Sequence, residues 1–141
     1  MKAGGDMKRV MLSLLLTGFF VLISGCQFQK LHEEREKDLD YVILEEHEIP
    51  ETFLKELENV KKEPFQMTYE DQGMIYAAKG YGDQEMSGYS IIVDEVYESK
   101  DAVWIHTNLL GPKKGEKTEK RKTYPYIVIK LEHTDKYIVF K

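Results

Sequence analysis

The sequence predicts an α+β fold, in which a small and mainly antiparallel β-sheet of six to seven strands carries one N-terminal amphipathic helix. Apolar residues recur with a helical period between residues 50 and 62 and with a period of two from residue 65 onward. The segments between the predicted strands are too short to house crossover helices, so neighbouring strands should be antiparallel. The helix has one apolar stripe, which needs a sheet face to cover it.

The chain begins with a segment that is typical of a secretory signal. Lys8 and Arg9 precede residues 10–24, a stretch of 15 residues without a charge. A helix of that length spans about 22 Å, which is short of the ~30 Å hydrocarbon layer of a bilayer. A short apolar stretch behind basic residues is instead a signal peptide. We therefore predict that residues 1–25 are removed and that the chain starts at Met1 or Met7.

The junction that follows this segment contains Cys26, the only cysteine of the chain. A single cysteine excludes an intrachain disulfide. The stretch that ends in Gly25 and Cys26 resembles the bacterial lipobox. This resemblance implies cleavage before Cys26 and a diacylglycerol on its sulfur, which would anchor the chain to the extracytoplasmic face of the cell membrane. The alternative is an uncleaved single membrane span with an incidental cysteine.

Residues 26–40 are rich in charge and poor in apolar side chains. They show no helical apolar stripe, so we interpret them as a flexible charged tether. The single globular domain should then cover residues 41–141.

The predicted elements start with a short strand at residues 41–44 and a helix that follows Pro50. Proline suits the first turn of a helix, and Pro64 should block continuation beyond the last turn. The apolar stripe of this helix consists of Phe53, Leu54, Leu57 and Val60. Further strands are predicted at residues 65–69, 73–79, 88–97, 102–110, 124–132 and 136–140. Turn-forming residues separate these strands.

The charge of the chain bears on the class of partner. Without residues 1–25, 17 basic and 24 acidic residues remain, and the formal charge changes from −5 to −7. Phosphate binding needs clustered positive charge, so an acidic balance argues against nucleic acid as a partner.

Three segments of the C-terminal half carry a resemblance to a known family. They are residues 80–91 (GYGDQEMSGYSI), the strand at 102–110 followed by Gly111 and Pro112, and residues 123–130 (TYPYIVIK). Together they resemble the PrcB family, which is named for a subunit of a bacterial surface protease complex, and the likeness covers residues 65–141. The resemblance implies a non-catalytic accessory protein that associates with a partner such as an exported protease and stabilises it.

The residues themselves show no catalytic constellation, so we predict that the protein is not an enzyme and uses no cofactor or metal. The histidines have no spacing typical of a metal site; they are His32, His47, His106 and His133. Gly80, Gly82 and Gly88 lack the lysine and following helix of a phosphate loop, and tight turns with positive φ explain them better. Trp104, His106 and Asn108 should share one strand face.

Two features suit a protein-binding surface. Glycines and aromatic side chains concentrate where the strands should end, and tyrosine and tryptophan supply contact area with a polar handle. The candidate partner-binding residues are Gly80, Tyr81, Gly82, Gly88, Tyr89, Trp104, Tyr124 and Tyr126. Residues 111–123 also carry six basic and two acidic side chains, a local charge of +4.

Two questions stay open at this stage. The basic segment is either a solvated hairpin loop or a contact with anionic lipid or an acidic partner. The alternative to protein binding is an envelope lipoprotein that binds a small ligand or a polymer. A closed apolar cavity lined by Trp104 and Tyr89 would support that alternative.

Overall fold

The computed structural model describes residues 30–141, of which Leu31–Lys141 form one compact unit. The predicted signal segment and Cys26 lie outside the described residues. The strands are β1 (Lys37–Asp38), β2 (Val42–Ile43), β3 (Pro64–Asp71), β4 (Met74–Tyr81), β5 (Ser90–Glu98), β6 (Ala102–Leu110), β7 (Tyr126–Glu132) and β8 (Tyr137–Phe140). A 3-10 helix (Glu46–Glu48) and the helix α1 (Glu51–Val60) lie between β2 and β3. Among these residues, no helix has the length and apolar character of a membrane span.

The strands form two four-stranded sheets. Sheet A has the order β1-β5-β6-β8 and sheet B the order β2-β7-β4-β3. All pairs are antiparallel except β6 with β8, because the chain leaves sheet A to form β7 in sheet B before it returns. The α+β class and the mainly antiparallel pairing are confirmed. The predicted single sheet of six to seven strands is corrected to two sheets with eight strands.

The main core lies between the two sheets and consists of alternate residues of their strands. Val103 and Ile105 of sheet A, which are fully buried, meet Ala77 and Ile129 of sheet B. Phe140 at the end of β8 belongs to the same cluster. The alternation that predicted half-buried strands therefore describes the inner faces of both sheets.

Helix α1 covers the outer face of sheet B, as predicted. Phe53 and Leu57 have no exposed surface and pack in a second cluster with Tyr76 and Val128. The ring of Phe53 also stacks on that of Tyr69, with the ring centroids 5.3 Å apart. The helix begins at Glu51, one residue after Pro50, and Pro64 starts β3 directly.

The outer face of sheet A is covered by residues 31–40, which we name the N-terminal strap. Leu31 packs against Tyr97, Ala102 and Trp104, and β1 pairs with the end of β5. The prediction of a flexible tether over residues 26–40 is therefore corrected for the strap. Because it has only two strand residues, the strap offered no period-two pattern to recognise.

Ion pairs with residues distant in sequence fix the strap in place. The backbone N–H of His32 lies 3.0 Å from the carboxylate of Asp101, and the imidazole of His32 lies 2.5 Å from it. Both hydrogen bonds lower the pKa of Asp101, and the backbone hydrogen bond has the larger effect. The guanidinium of Arg35 lies 2.7 Å from Glu95 and 4.5 Å from the ring centroid of Tyr97. Exposed ion pairs are individually weak, so the strap also depends on its backbone pairing with β5 and on the packing of Leu31 and Leu39.

A gap in sheet B at Gly80 is filled by an aromatic side chain. Gly80 pairs with Phe65 of β3 on one side and Tyr126 of β7 on the other. The Phe65 ring lies over the glycine and contacts the Tyr126 ring, with the centroids 6.3 Å apart. A Cβ at position 80 would overlap the Phe65 ring, so the glycine is required for packing.

We expect Gly80→Ala to lower the free energy of unfolding by about 1–3 kcal/mol, because the added methyl must displace the Phe65 ring. Urea unfolding of the purified protein measures this change. Gly111→Ala is the matched control, since its Cβ would lie 3.6 Å from Tyr89, an ordinary contact, and should change stability by less than about 0.5 kcal/mol. Equal effects of the two substitutions would contradict the packing role of Gly80.

Candidate partner-binding surface

Two loops that follow β4 and β6 meet at one end of the sandwich. They are residues 82–89, the glycine segment, and residues 111–123, the basic loop. Gln84 and Thr123 form an isolated antiparallel bridge, with N–H···O distances of 2.8 and 3.0 Å. The two segments, which are separate in the sequence, are therefore one structural unit.

Further hydrogen bonds join the tip of the glycine segment to the basic loop. Ser87 donates its N–H to the carbonyl of Glu119 at 3.0 Å, and its hydroxyl accepts from the N–H of Glu119 at 2.9 Å. The Thr123 hydroxyl donates to the carbonyl of Met86 at 2.9 Å. Because backbone groups take part in each of these bonds, the loops hold a defined conformation without a partner.

The glycines of this unit are required by the conformation of the chain. Gly82 and Gly88 have φ of 72° and 93°, which side-chain-bearing residues adopt rarely. A Cβ at Gly88 would also lie 2.9 Å from the Cβ of Pro112 in the basic loop. The positive φ predicted for the glycines is thus present at these two positions, whereas Gly80 lies within β4.

The basic side chains of this unit are exposed and mostly free of acidic partners. Lys122 lies 3.1 Å from Asp83, a hydrogen bond that raises the pKa of Lys122, and Arg121 lies 2.9 Å from Glu119. In the described part of the chain, the ammonium groups of the other four lysines have no carboxylate within 4.0 Å; they are Lys113, Lys114, Lys117 and Lys120. The unit therefore presents positive charge on an otherwise acidic domain.

Two of the predicted contact residues serve the interior instead. Trp104 is 6% exposed on the outer face of sheet A, and its indole N–H donates to Ser99 at 3.0 Å. The hydroxyl of Tyr81 shares a hydrogen bond of 2.6 Å with that of Thr107, which joins sheet B to sheet A. Both side chains stabilise the fold and offer little surface to a partner.

The remaining predicted aromatic residues lie near the paired loops but face different ways. Tyr89 is half-buried beside Gly111. Tyr124 and Tyr126 line an open groove of about 290 Å³ against Leu44 and Ile49, on the helix side of sheet B. Burial raises the pKa of Tyr126, with a smaller effect of nearby Glu46 and Glu58. The eight predicted residues therefore do not form one patch.

Two depressions and the histidines bear on the alternative of a small-ligand site. A second depression, of about 270 Å³, is lined by the strap and by Leu131 to Thr134, so neither it nor the groove is lined by Trp104 and Tyr89. The ring of His133 lies 3.2 Å from Asp135 and 3.4 Å from Glu70, exposed on a turn. His106 shares its strand face with Trp104, as predicted, and lies 4.0 Å from Glu95. Residues 30–141 contain no cluster of three or more potential metal ligands.

These features define a class: a small two-sheet β domain with a covering helix and a preformed loop surface. Residues 75–132, which include both paired loops, match the family described as PrcB C-terminal. The match supports a PrcB-like family, and the resemblance predicted from the sequence is confirmed over this range. No curated protein and no solved structure matches this chain.

We expect Gly88→Ala to lower the free energy of unfolding more than Gly115→Ala, by about 1–2 kcal/mol. Both glycines have positive φ, at 93° and 86°, so both substitutions strain the backbone. Only position 88 adds an overlap with Pro112, since nothing lies within 4 Å of a Cβ at Gly115. Urea unfolding of the two variants, compared side by side, checks the prediction. Equal losses would mean that the contact between the loops contributes no stability.

Proposed function

We propose that this protein is a non-catalytic accessory protein, lipid-anchored on the extracytoplasmic face of the cell membrane, that binds and stabilises a protein partner such as an exported protease. The observation that carries the proposal is the pair of hydrogen-bonded loops within the part of the chain that matches the PrcB C-terminal family. A loop surface that is already ordered loses less conformational entropy when it binds, which favours a role in recognition.

Charge indicates the kind of partner surface that fits. The four lysines without acidic partners lie on the basic loop, whereas the charge from residue 26 onward is −7. Such a separation steers an acidic surface toward this end of the domain and disfavours approach at the other surfaces. The partner is therefore expected to present Asp and Glu side chains to the paired loops.

The length of chain after Cys26 and the position of the paired loops on β6 are compatible with a lipid anchor. If lipid is attached at Cys26, three residues separate it from Lys30, and a stretch of five residues such as 26–30 spans at most about 18 Å. The strap starts at the turn between β5 and β6, through the hydrogen bonds of His32 with Asp101. The basic loop follows the far end of β6, whose nine residues span about 30 Å. The paired loops therefore lie at the opposite end of β6 from the turn that the strap contacts.

We expect Cys26→Ser to release the protein from the membrane fraction without unfolding the domain. The thiol is the attachment atom for lipid, whereas Leu31–Lys141 form their own compact unit. Cell fractionation and the mass of the N-terminal peptide check this. A variant that stays in the membrane with residues 1–25 attached would support the single-span alternative and contradict lipid anchoring.

We expect neutralisation of the four lysines without acidic partners to reduce recovery of the partner at least about tenfold, because each basic contact with an acidic surface is worth several tenths of a kcal/mol or more. The variant carries Lys113→Gln, Lys114→Gln, Lys117→Gln and Lys120→Gln. Crosslinking in intact cells followed by purification of this chain measures the recovery.

The control variant has the same charge change on other surfaces, with Lys30→Gln, Lys37→Gln, Lys55→Gln and Lys100→Gln, all of which are exposed. It should recover the partner as the unchanged protein does. Equal losses in both variants would indicate a general effect of charge. A different result would indicate that the basic loop contacts membrane instead. In that case no partner protein is recovered, and vesicles with anionic lipid bind the unchanged domain but not the variant with the loop substitutions.

A further inference from the structure

Strand β3 is a long sheet edge that no other part of the described chain covers. Three of the four outermost strands are short, since β1 and β2 have two residues each and β8 has four. β3 has eight residues and closes sheet B on the side of β4. Natural proteins usually shorten or block such edges, because the unpaired backbone groups are a template for another strand.

The turn between β3 and β4 determines which backbone groups point away from the sheet. Gln72 and Gly73 have φ of 49° and 76°, as a two-residue hairpin turn of type I′ requires. The residues flanking such a turn, Asp71 and Met74, form a hydrogen-bonded pair. Bonding alternates along the strand, so Tyr69, Met67 and Phe65 also bond to β4.

The N–H and C=O groups of the intervening residues Gln66, Thr68 and Glu70 consequently point outward. No backbone or side-chain group among residues 30–141 makes a hydrogen bond to them. Inside the strand there is neither a lysine nor a bulge, the one proline is its first residue, Pro64, and the charged side chains are confined to its last two residues, Glu70 and Asp71.

The side chains of β3 indicate what kind of strand would fit. Phe65, Met67 and Tyr69 lie half-buried on the helix side, whereas Gln66, Thr68 and Glu70 are exposed on the other side. An added strand would need the same alternation of apolar and polar residues, because side chains directly opposite each other share a face. The acidic end of the edge, Glu70 and Asp71, favours lysine or arginine opposite it.

We propose that β3 takes up an extended segment of the protein partner as an additional strand of sheet B. The segment alternates apolar and polar residues and places a basic residue opposite Glu70 or Asp71. Main-chain hydrogen bonds to Gln66, Thr68 and Glu70 supply the attachment, as in other cases of strand addition. This inference rests on the proposed function in one respect, namely that a protein partner exists.

A second copy of this chain fits the edge less well. Antiparallel self-pairing that sets Met67 opposite Met67 keeps the apolar faces together, but it places Asp71 opposite Glu63, the residue before the strand, at both ends. Like charges directly opposite each other destabilise a strand pair. Self-pairing that sets Thr68 opposite Thr68 places the apolar Phe65 opposite the charged Asp71 at both ends. Two chains that each have a formal charge of −7 from residue 26 onward also repel one another at long range.

The first test compares Thr68→Pro with Thr68→Val in the full chain. Proline removes the outward N–H, and its ring blocks an incoming strand. The hydrogen bonds between β3 and β4 are kept, because the backbone N–H of residue 68 points away from β4. Crosslinking in cells, followed by purification, should recover at least about tenfold less partner with Thr68→Pro and an unchanged amount with Thr68→Val. Thermal unfolding of both purified variants verifies that they fold.

The second test places a photo-crosslinking residue at position 66, 68 or 70, one at a time, and at Tyr137 as a control. Tyr137 is 64% exposed on the short edge strand β8. We expect adducts from the three β3 positions only. Peptide mapping should find them on a single partner segment, with the attachment sites for positions 66 and 70 about four residues apart, because paired strands advance together.

The outcomes separate this inference from the proposed function. If the unchanged chain recovers a partner, but Thr68→Pro recovers as much and the β3 positions give no adduct, the strand addition is wrong and the accessory function stands. Adducts with twice the mass of the chain would overturn it in favour of self-association. If no partner is recovered with the unchanged chain, both proposals fail.

Discussion

The burial of both faces of β7 is the constraint around which the domain is arranged. Ile127 and Ile129 point into the core between the sheets, and Val128 points to the helix side, with exposures of 6%, 0% and 1%. The neighbouring strand β4 repeats this with Ala77 and Ala78, neither of which has exposed surface. A strand that is apolar on both faces has to be covered twice, so sheet A and helix α1 are both needed to keep it from water.

The paired loops depend on the same arrangement. The glycine segment continues β4 and the basic loop leads into β7, and these two strands are neighbours in sheet B. Tyr81 donates its N–H to the carbonyl of Pro125 at 3.0 Å, so the strand pairing extends toward the loops before they separate. The conformation of the candidate surface is therefore set by buried strands, which are the most stable part of such a domain.

Much of the fold followed from the sequence, but the contacts between distant segments did not. β6 has the predicted limits, residues 102–110, and the helix differs by little. The division into two sheets was missed because a period-two pattern is the same whichever sheet a strand joins. The strap was missed because its pairs join residues as far apart as His32 and Asp101. For the same reason, no local pattern could show that Ser87 meets Glu119 or that Trp104 is buried by Leu31.

The fate of the aromatic side chains bears on how this domain can bind. A sequence rich in tyrosine suggests aromatic anchors at an interface, yet Tyr76, Tyr97 and Trp104 are less than 10% exposed. A small domain has little volume for a core, and large rings fill it efficiently. Beside a few exposed aromatic side chains such as Tyr137, the lysines of the basic loop and the backbone of β3 stay accessible. Recognition would then rest on charge and main-chain hydrogen bonds, which select a partner's electrostatics and its capacity to extend.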